Sequence, residues 1–366
     1  MADKSIVEVN VMMFGGRRCG KTSVIAAMKK CMEDQFGKDS PLVISCDSST
    51  FDVIDKKEQE ISEFLNAGRA TFIPDAEPTL DEQEYRFDLS IKGKNGCVTL
   101  DFYDYPGEWL DRKDKETTLI EHVNNSNIFI VAIDSPMLME DPDSTDDKKI
   151  GRYNEATNKS KKICNTLKNA LAKREEIKEP LLVMFVPLKC EKYANQGRMH
   201  ELWLKVQAAY KTLFDYFGGE NSRNFEVVIA PILTFGAKTA EFSRFDNDDD
   251  GNIIVNDFGI PARPIYRRIN EEPYSPKYCE MPALWSLKYI LALAKTDRYE
   301  KATPYKKTLF NVFFKIPVSK LFNALLESFK NLPGYEEFKN MEDDIDRMLK
   351  PANYPGYGII QDPLDI

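Results

Sequence analysis

Gly15-Gly16-Arg17-Arg18-Cys19-Gly20-Lys21-Thr22 reads G-x-x-x-x-G-K-T, the glycine-rich phosphate-loop pattern. The flanks supply the context that this pattern needs. Upstream, Ile6 to Phe14 is β-rich and largely apolar; downstream, Val24, Ile25, Ala27, Met28 and Met32 recur at helical spacing. Strand, glycine loop and helix together trap anions, because glycines let the backbone wrap a phosphate while loop and helix N-terminal amides point inward. Gly15, Gly16, Arg17, Arg18, Cys19, Gly20, Lys21, Thr22 and Ser23 are therefore the expected phosphate-binding residues. In this arrangement Lys21 reaches the β- and γ-phosphates and the Thr22 hydroxyl ligates Mg²⁺. A chance match in a glycine turn is the bland alternative, and the flanks argue against it.

The whole-chain numbers narrow the class. With 366 residues, 42% of them hydrophobic, the chain can bury a full core. A net charge of −9 argues against a general nucleic-acid binder, which needs a basic face to neutralise phosphates. The seven cysteines form no C-x-x-C pair and several sit in apolar runs, which points to buried free thiols in a reducing compartment. His122 and His200 are the only histidines, so no histidine-based metal site is expected. No signal-peptide pattern and no apolar run of about 18 residues is present. The expected location is the cytoplasm, without a membrane span.

Further along, Phe51 to Leu65 has helical spacing. Tyr85 to Ile91 and Cys97 to Tyr103 alternate with period two around a Gly- and Asn-bearing loop, which predicts a β-hairpin and hence one antiparallel strand. Ile128 to Ile133 and Leu181 to Val186 are continuous apolar runs of the kind buried on both faces of a parallel sheet. The acidic run Glu140 to Asp147 reads as a solvated loop, followed by one long polar helix over about 148–173. Met199 to Phe217 predicts a helix, Phe225 to Leu233 a sixth strand, and Ala283 to Lys295 an apolar helix closing the core. The expected fold is a three-layer α/β domain over 1–297, with a mixed six-stranded sheet and a hairpin insertion at about 240–260. Residues 298–366 are expected to form a helical extension, with helices near 318–332 and 335–349 and an apolar stripe (Leu321, Phe322, Leu325, Leu326, Phe329) that packs on the main domain.

Two more stretches bear on the nucleotide. At the end of the hairpin's second strand, Asp104-Tyr105-Pro106-Gly107 matches the D-x-x-G of GTP-binding switches. There the Asp holds Mg²⁺ through water and the Gly amide senses the γ-phosphate. Taken alone the pattern is weak, since turns favour Asp and Gly anyway; at a strand end after a phosphate loop it is strong. The strand Leu181 to Val186 ends in Pro187-Leu188-Lys189-Cys190-Glu191, where guanine-specific switches carry N-K-x-D. Lys189 and a carboxylate, Glu191, are kept, while Leu188 stands where the Asn is expected. After the next strand, Ala237-Lys238 fits the S-A-K loop that such switches set against the base.

These elements, in this order, resemble the Ras-like and translation-factor class of P-loop GTPases. More narrowly, Tyr103-Asp104-Tyr105-Pro106-Gly107-Glu108-Trp109-Leu110, with Pro187-Leu188-Lys189-Cys190-Glu191-Lys192-Tyr193, is similar to the double-GTPase families of bacterial conflict systems. The resemblance runs from about Ile6 to Lys295. It implies a Ras-like fold, GTP or GDP with Mg²⁺ as ligands, and signalling in a defence-type system with a protein effector or activating partner. It also implies metal ligation by Thr22, Asp104 and a switch threonine, for which Thr79 is the choice and Thr71 the runner-up. Glu108 stands where Ras-like proteins have the Gln that orients water, and Glu77 lies where some G proteins supply an arginine. Lys21 and Glu108 are thus the catalytic candidates. Slow hydrolysis awaiting a partner, or a dimer across the nucleotide, is expected. A non-hydrolysing interaction protein and an ATP-using P-loop enzyme remain as alternatives.

One further motif carries a bland reading. Asp246 to Asp257 resembles an EF-hand loop, with carboxylates at positions 1, 3 and 5 and Gly251 at 6. Its flanks read as strands, so a hairpin turn is expected instead. For Arg17 and Arg18, exposed charge is the default.

Overall fold

The apolar runs form strands in the order that a phosphate loop requires. The computed structural model describes residues 6–36, 42–66, 71–72, 81–91, 97–142, 149–174, 177, 180–257, 261, 264–301 and 358–361. In chain order the elements are β1 (Ile6–Phe14), α1 (Lys21–Phe36), β2 (Leu42–Cys46), α2 (Ser48–Asn66), β3 (Thr71–Phe72), β4 (Gln83–Ile91) and β5 (Cys97–Asp104). Next come α3 (Glu116–Asn125), β6 (Ile128–Asp134), α4 (Ser135–Met139), α5 (Arg152–Thr157), α6 (Ser160–Lys173), β7 (Leu181–Leu188) and α7 (Glu191–Asn195). Then follow α8 (Met199–Ala209), α9 (Lys211–Phe217), β8 (Phe225–Ile229), β9 (Ala240–Phe245), β10 (Pro264–Arg268), α10 (Met281–Lys301) and β11 (Gly358–Gln361).

The main sheet has the order β11-β8-β7-β6-β1-β5-β4-β2. Strands β1, β5, β6, β7 and β8 run parallel, while β4 and β11 run against them. The fold class is the expected one, and the sheet gains two edge strands over the six predicted. β2 adds to the hairpin strand β4, and β11 adds to β8. Five parallel strands bring their C-terminal ends to one side, where ligands bind in open α/β sheets.

Alternation along the central strands feeds two cores. Val9, Val11 and Met13 of β1 face one way with α1 and α10, whereas Met12 and Phe14 face the other with α3, α6, α8 and α9. Along β7, Leu182, Met184 and Val186 join the first core and Leu181, Val183 and Phe185 the second. Burial on both faces explains why these strands read as unbroken apolar runs. Helix α10 closes the first core as predicted, through Leu284, Trp285 and Leu287. No helix among the described residues is long and apolar enough to cross a membrane.

Four expectations need correction. The single helix over 148–173 is two, α5 and α6, broken at Asn158 and at Lys159, whose φ is 53°. The acidic run is not wholly solvated: Asp141 is buried and accepts the Tyr153 amide at 2.5 Å, and Glu140 pairs with Lys192 at 2.8 Å. The helix over 199–217 is likewise split, into α8 and α9. In the insertion, β9 pairs with β10 rather than closing on itself, and β3 joins them in a second, three-stranded sheet. The acidic turn does form a tight hairpin, with the Asp248 amide on Asn252 O at 2.8 Å and the Asn247–Ile253 bridge at its base. The described residues on either side form the strands β9 and β10 and no helix, so the EF-hand resemblance has no structural counterpart among them. The helices predicted near 318–332 and 335–349 and the apolar stripe lie outside the described residues; the described piece of that region, β11, is a strand. Cys19, Cys31, Cys164, Cys190 and Cys279 are buried free thiols, as expected.

Candidate functional site

The phosphate loop leaves β1 at Phe14 and enters α1 at Lys21, so its residues sit at the C-terminal end of the central strand. Two backbones crowd it. A Cβ on Gly16 would stand 1.6 Å from the Thr157 carbonyl oxygen, and a Cβ on Gly107 would stand 2.2 Å from the Arg17 nitrogen. Glycine at these positions is thus demanded by close approach of chain to chain. Gly20 has φ of 112°, and Arg18, with φ of 59°, adopts the left-handed conformation with a side chain.

Lys21 and Thr22 of the loop meet Asp104, the last residue of β5. Lys21 Nζ lies 3.4 Å from Asp104 Oδ1, and Thr22 Oγ1 donates to Asp104 Oδ2 at 2.9 Å. Lys21 also donates to the carbonyls of Gly15 and Gly16, and its ammonium lies 5.8 Å from the Tyr105 ring centre. Lys21 is buried, which by itself would lower its pKa. Asp104 and, with smaller contributions, Cys19 and Glu108 together outweigh that cost, and the net direction is upward, so the ammonium stays charged. Burial pushes the Cys19 thiol up, which leaves it a neutral packing residue.

Thr22 and Asp104 present two hard oxygens side by side, the donor set that Mg²⁺ takes with substrate phosphates and water. Among the described residues no group of three or more His, Cys, Asp or Glu could hold a metal alone. The fit is therefore to a cation that arrives with a phosphate. Thr79 lies outside the described residues; Thr71 is in β3, in the second sheet.

Glu108 follows Gly107 in a short 3-10 turn, Gly107–Asp111. Its Oε1 lies 2.9 Å from Arg17 Nε, so Arg17 is not a free surface charge. Its Oε2 is buried and has no hydrogen-bond partner among the described residues. Asp111, at the other end of the turn, pairs with Lys159 and Lys162 of the α5–α6 region. Lys159 is half-buried, and burial lowers its pKa against the pull of Glu108.

The loops after β7 and β8 pack against each other, and the first of them against the phosphate loop. A Cβ on Gly20 would touch Leu188 at 3.3 Å and the Lys189 side chain at 3.8 Å, which sets that loop against the phosphate loop. The Lys189 amide donates to Thr234 Oγ1 at 3.1 Å, the Phe235 amide to Glu191 Oε1 at 2.6 Å, and Asn195 to the Ala237 carbonyl at 3.2 Å. Ala237 is part-buried and Lys238 exposed at the end of this loop. Glu191 itself is completely buried. Burial raises its pKa to about 7, although the nearby amides of Phe235, Glu191 and Gly236 pull it down. Its carboxylate thus spends one oxygen on the 234–238 loop, while Oε2 has no partner among the described residues.

Asp134 and Asn158 were missed. Asp134, at the end of β6, caps α4 by accepting the Met137 amide at 3.2 Å and pairs with the Lys189 ammonium. Asn158 binds both backbone groups of Asp134, at 2.7 and 3.1 Å, and so fixes the helix break that lays Thr157 on Gly16. The Asp134-Ser135-Pro136 cap after an apolar strand was a readable signal. The Asn158 contact is purely tertiary.

A phosphate loop, a D-x-x-G turn and a lysine-bearing loop, gathered at parallel strand ends, define a P-loop nucleotide-binding protein. The chain belongs to the Double-GTPase 2 family, whose model matches residues 10–226. No curated protein matches the chain. Among solved structures, the GTPase-like domain of S. cerevisiae Ski7 bound to GTP is similar at 12% identity and TM-score 0.32, over 69% of this chain and 46% of that one. The same domain bound to GDP and inorganic phosphate is similar at 11% and 0.31, over 62% and 43%. The chain spans less than half of either, and likeness at this level transfers no property.

Proposed function

We propose that the protein is a guanine-nucleotide-dependent switch that hydrolyses GTP slowly in the presence of Mg²⁺. The observation that carries this reading is the meeting of Lys21, Thr22 and Asp104 at one strand-end cluster, with Gly107 packed on the loop backbone. Lys21 and the loop amides hold the phosphates, and Thr22 and Asp104 hold Mg²⁺, which supplies charge neutralisation at the transferring phosphoryl group. Lys189, Glu191, Ala237 and Lys238 are the base-side residues of this reading, with the Glu191 carboxylate as the acceptor for the guanine N1 and N2 donors. Family membership supports guanine as the base. The DYPGEW stretch supports signalling within a bacterial defence system, with a protein effector or activating partner. We place the catalytic domain at 1–297 and read 298–366 as an extension whose strand β11 returns to the edge of the main sheet. Hydrolysis is slow because no Gln follows Gly107.

The experiment is single-turnover [γ-³²P]GTP hydrolysis on dilute protein, with Mg²⁺ and with EDTA. Release of phosphate only with Mg²⁺, and faster as protein concentration rises, supports a partner- or dimer-activated switch. Binding without turnover under every condition leaves the non-hydrolysing interaction protein. The burial of Glu191, with one oxygen already on the Phe235 amide, favours the ATP-using enzyme as second reading; base competition separates it.

A further inference from the structure

The charge balance around Glu108 differs from what the sequence suggested. Read along the chain, Glu108 is an uncompensated negative charge beside a triphosphate. In the fold it is held by an arginine of the phosphate loop itself. We propose that Arg17 is a positioning residue for GTP hydrolysis: it holds Glu108 Oε1 so that Oε2 meets the attacking water. The proposal rests on the reading of this site as one that hydrolyses GTP.

Three observations converge. Arg17 Nε sits 2.9 Å from Glu108 Oε1, while Glu108 Oε2 is buried without a partner among the described residues, although the side chain as a whole is 40% exposed. A buried carboxylate oxygen with no donor asks for one, and a water placed against the γ-phosphate is the donor that the reaction supplies. Secondly, the backbone carrying Glu108 is already fixed. Gly107 lies on the Gly16–Arg17 peptide, Trp109 is buried and stacks on Tyr105 with ring centres 6.4 Å apart, and Asp111 is gripped by Lys159 and Lys162. What stays undetermined by the backbone is the Glu108 rotamer, and Arg17 determines it. Thirdly, Lys159 on the opposite element is paired with Asp111, so among the described residues Arg17 is the cation in contact with Glu108, a carboxylate that the triphosphate would otherwise repel.

The step balances without another reactant. The water oxygen bonds to the γ-phosphorus as the bond from that phosphorus to the bridging oxygen breaks. The electron pair of the broken bond leaves on the β-phosphate of GDP. The water proton passes to Glu108 Oε2 and from there to inorganic phosphate, which returns Glu108 to its starting state.

The test uses the full chain with Mg²⁺ and GTP, in wild type, Arg17→Ala, Arg17→Lys, Glu108→Ala and the Arg17→Ala/Glu108→Ala double variant. Arg17→Ala should lower the single-turnover rate by roughly 10–100-fold, the scale of a misplaced catalytic group. Affinity for a fluorescent GDP analogue should change less than about threefold if the arginine acts on Glu108 and not on ground-state binding. Arg17→Lys should recover part of the rate. In the Glu108→Ala background, Arg17→Ala should change the rate less than about twofold, because the group it positions is gone. A wild-type rate in Arg17→Ala, an equal loss in both backgrounds, or a loss explained by weaker nucleotide affinity would each overturn the proposal. Wild-type protein that binds GTP but never hydrolyses it overturns this proposal and leaves the binding reading standing. Wild-type protein that binds no guanine nucleotide removes both.

Discussion

Replacing Glu191 with Gln separates burial from base recognition, because the two pull its proton in opposite directions. The carboxyl is buried, and burial pushes its pKa up to about 7, against an ordinary value of 4.5. The raised value means that the fold prefers the protonated form. Stability from this group is fully present below pH 4.5 and is lost as pH rises through 7. At about 1.4 kcal/mol for each pH unit between the two values, the loss amounts to about 3 kcal/mol. Urea unfolding of wild type and Glu191→Gln between pH 4.5 and 8.5 reads it directly. The variant should gain on the wild type by about 3 kcal/mol across that range and then hold level. Guanine recognition as proposed would act the other way, since the N1 and N2 donors would require the carboxylate. Below pH 7 the affinity for GDP should fall about tenfold per pH unit more steeply in wild type than in the variant, which shares the nucleotide's own titration. Parallel unfolding curves would refute the burial argument, and parallel binding curves would take Glu191 out of the base site.

Gly16→Ala puts a Cβ 1.6 Å from the Thr157 carbonyl, a backbone atom that cannot swing aside; it should cost about 1–3 kcal/mol and lower the melting temperature by several degrees in a thermal scan. An unchanged melting temperature would show that α5 does not rest on the loop. Millimolar Ca²⁺ should leave the melting temperature nearly unchanged, because the Asp246–Asp257 turn is closed by its own backbone and has no flanking helices. A saturable rise, absent in Asp246→Asn/Asp250→Asn, would contradict that.

What was legible was local. The phosphate loop announces itself by glycine spacing between a strand and a helix, and the buried strands β6 and β7 by unbroken apolar runs. Asp104 needed only its position at a strand end. What was not legible depends on contacts between distant segments. The break at Asn158 carries no Gly or Pro; it exists because the Asn158 side chain binds the Asp134 backbone 24 residues away. Arg17 and Glu108 are 91 apart in sequence, and nothing in either stretch tells that the two turns share a backbone contact. Edge strands β2 and β11 are short and flanked by polar residues, so their pairing is decided by the sheet they join and not by their own pattern. Glu191 was found by its spacing from Lys189, but its burial follows from the Phe235 amide.

The central claim, a site built for a guanine nucleotide, is tested most directly by competition of GTP and ATP against a fluorescent GDP analogue at pH 8, with Lys21→Ala as the binding-dead control. Adenine would set an acceptor against the Glu191 carboxylate, a buried mismatch worth about 1–3 kcal/mol, or roughly 5–150-fold in affinity. GTP should therefore displace the analogue at concentrations at least several-fold below those needed of ATP. Equal displacement by the two nucleotides would contradict the account.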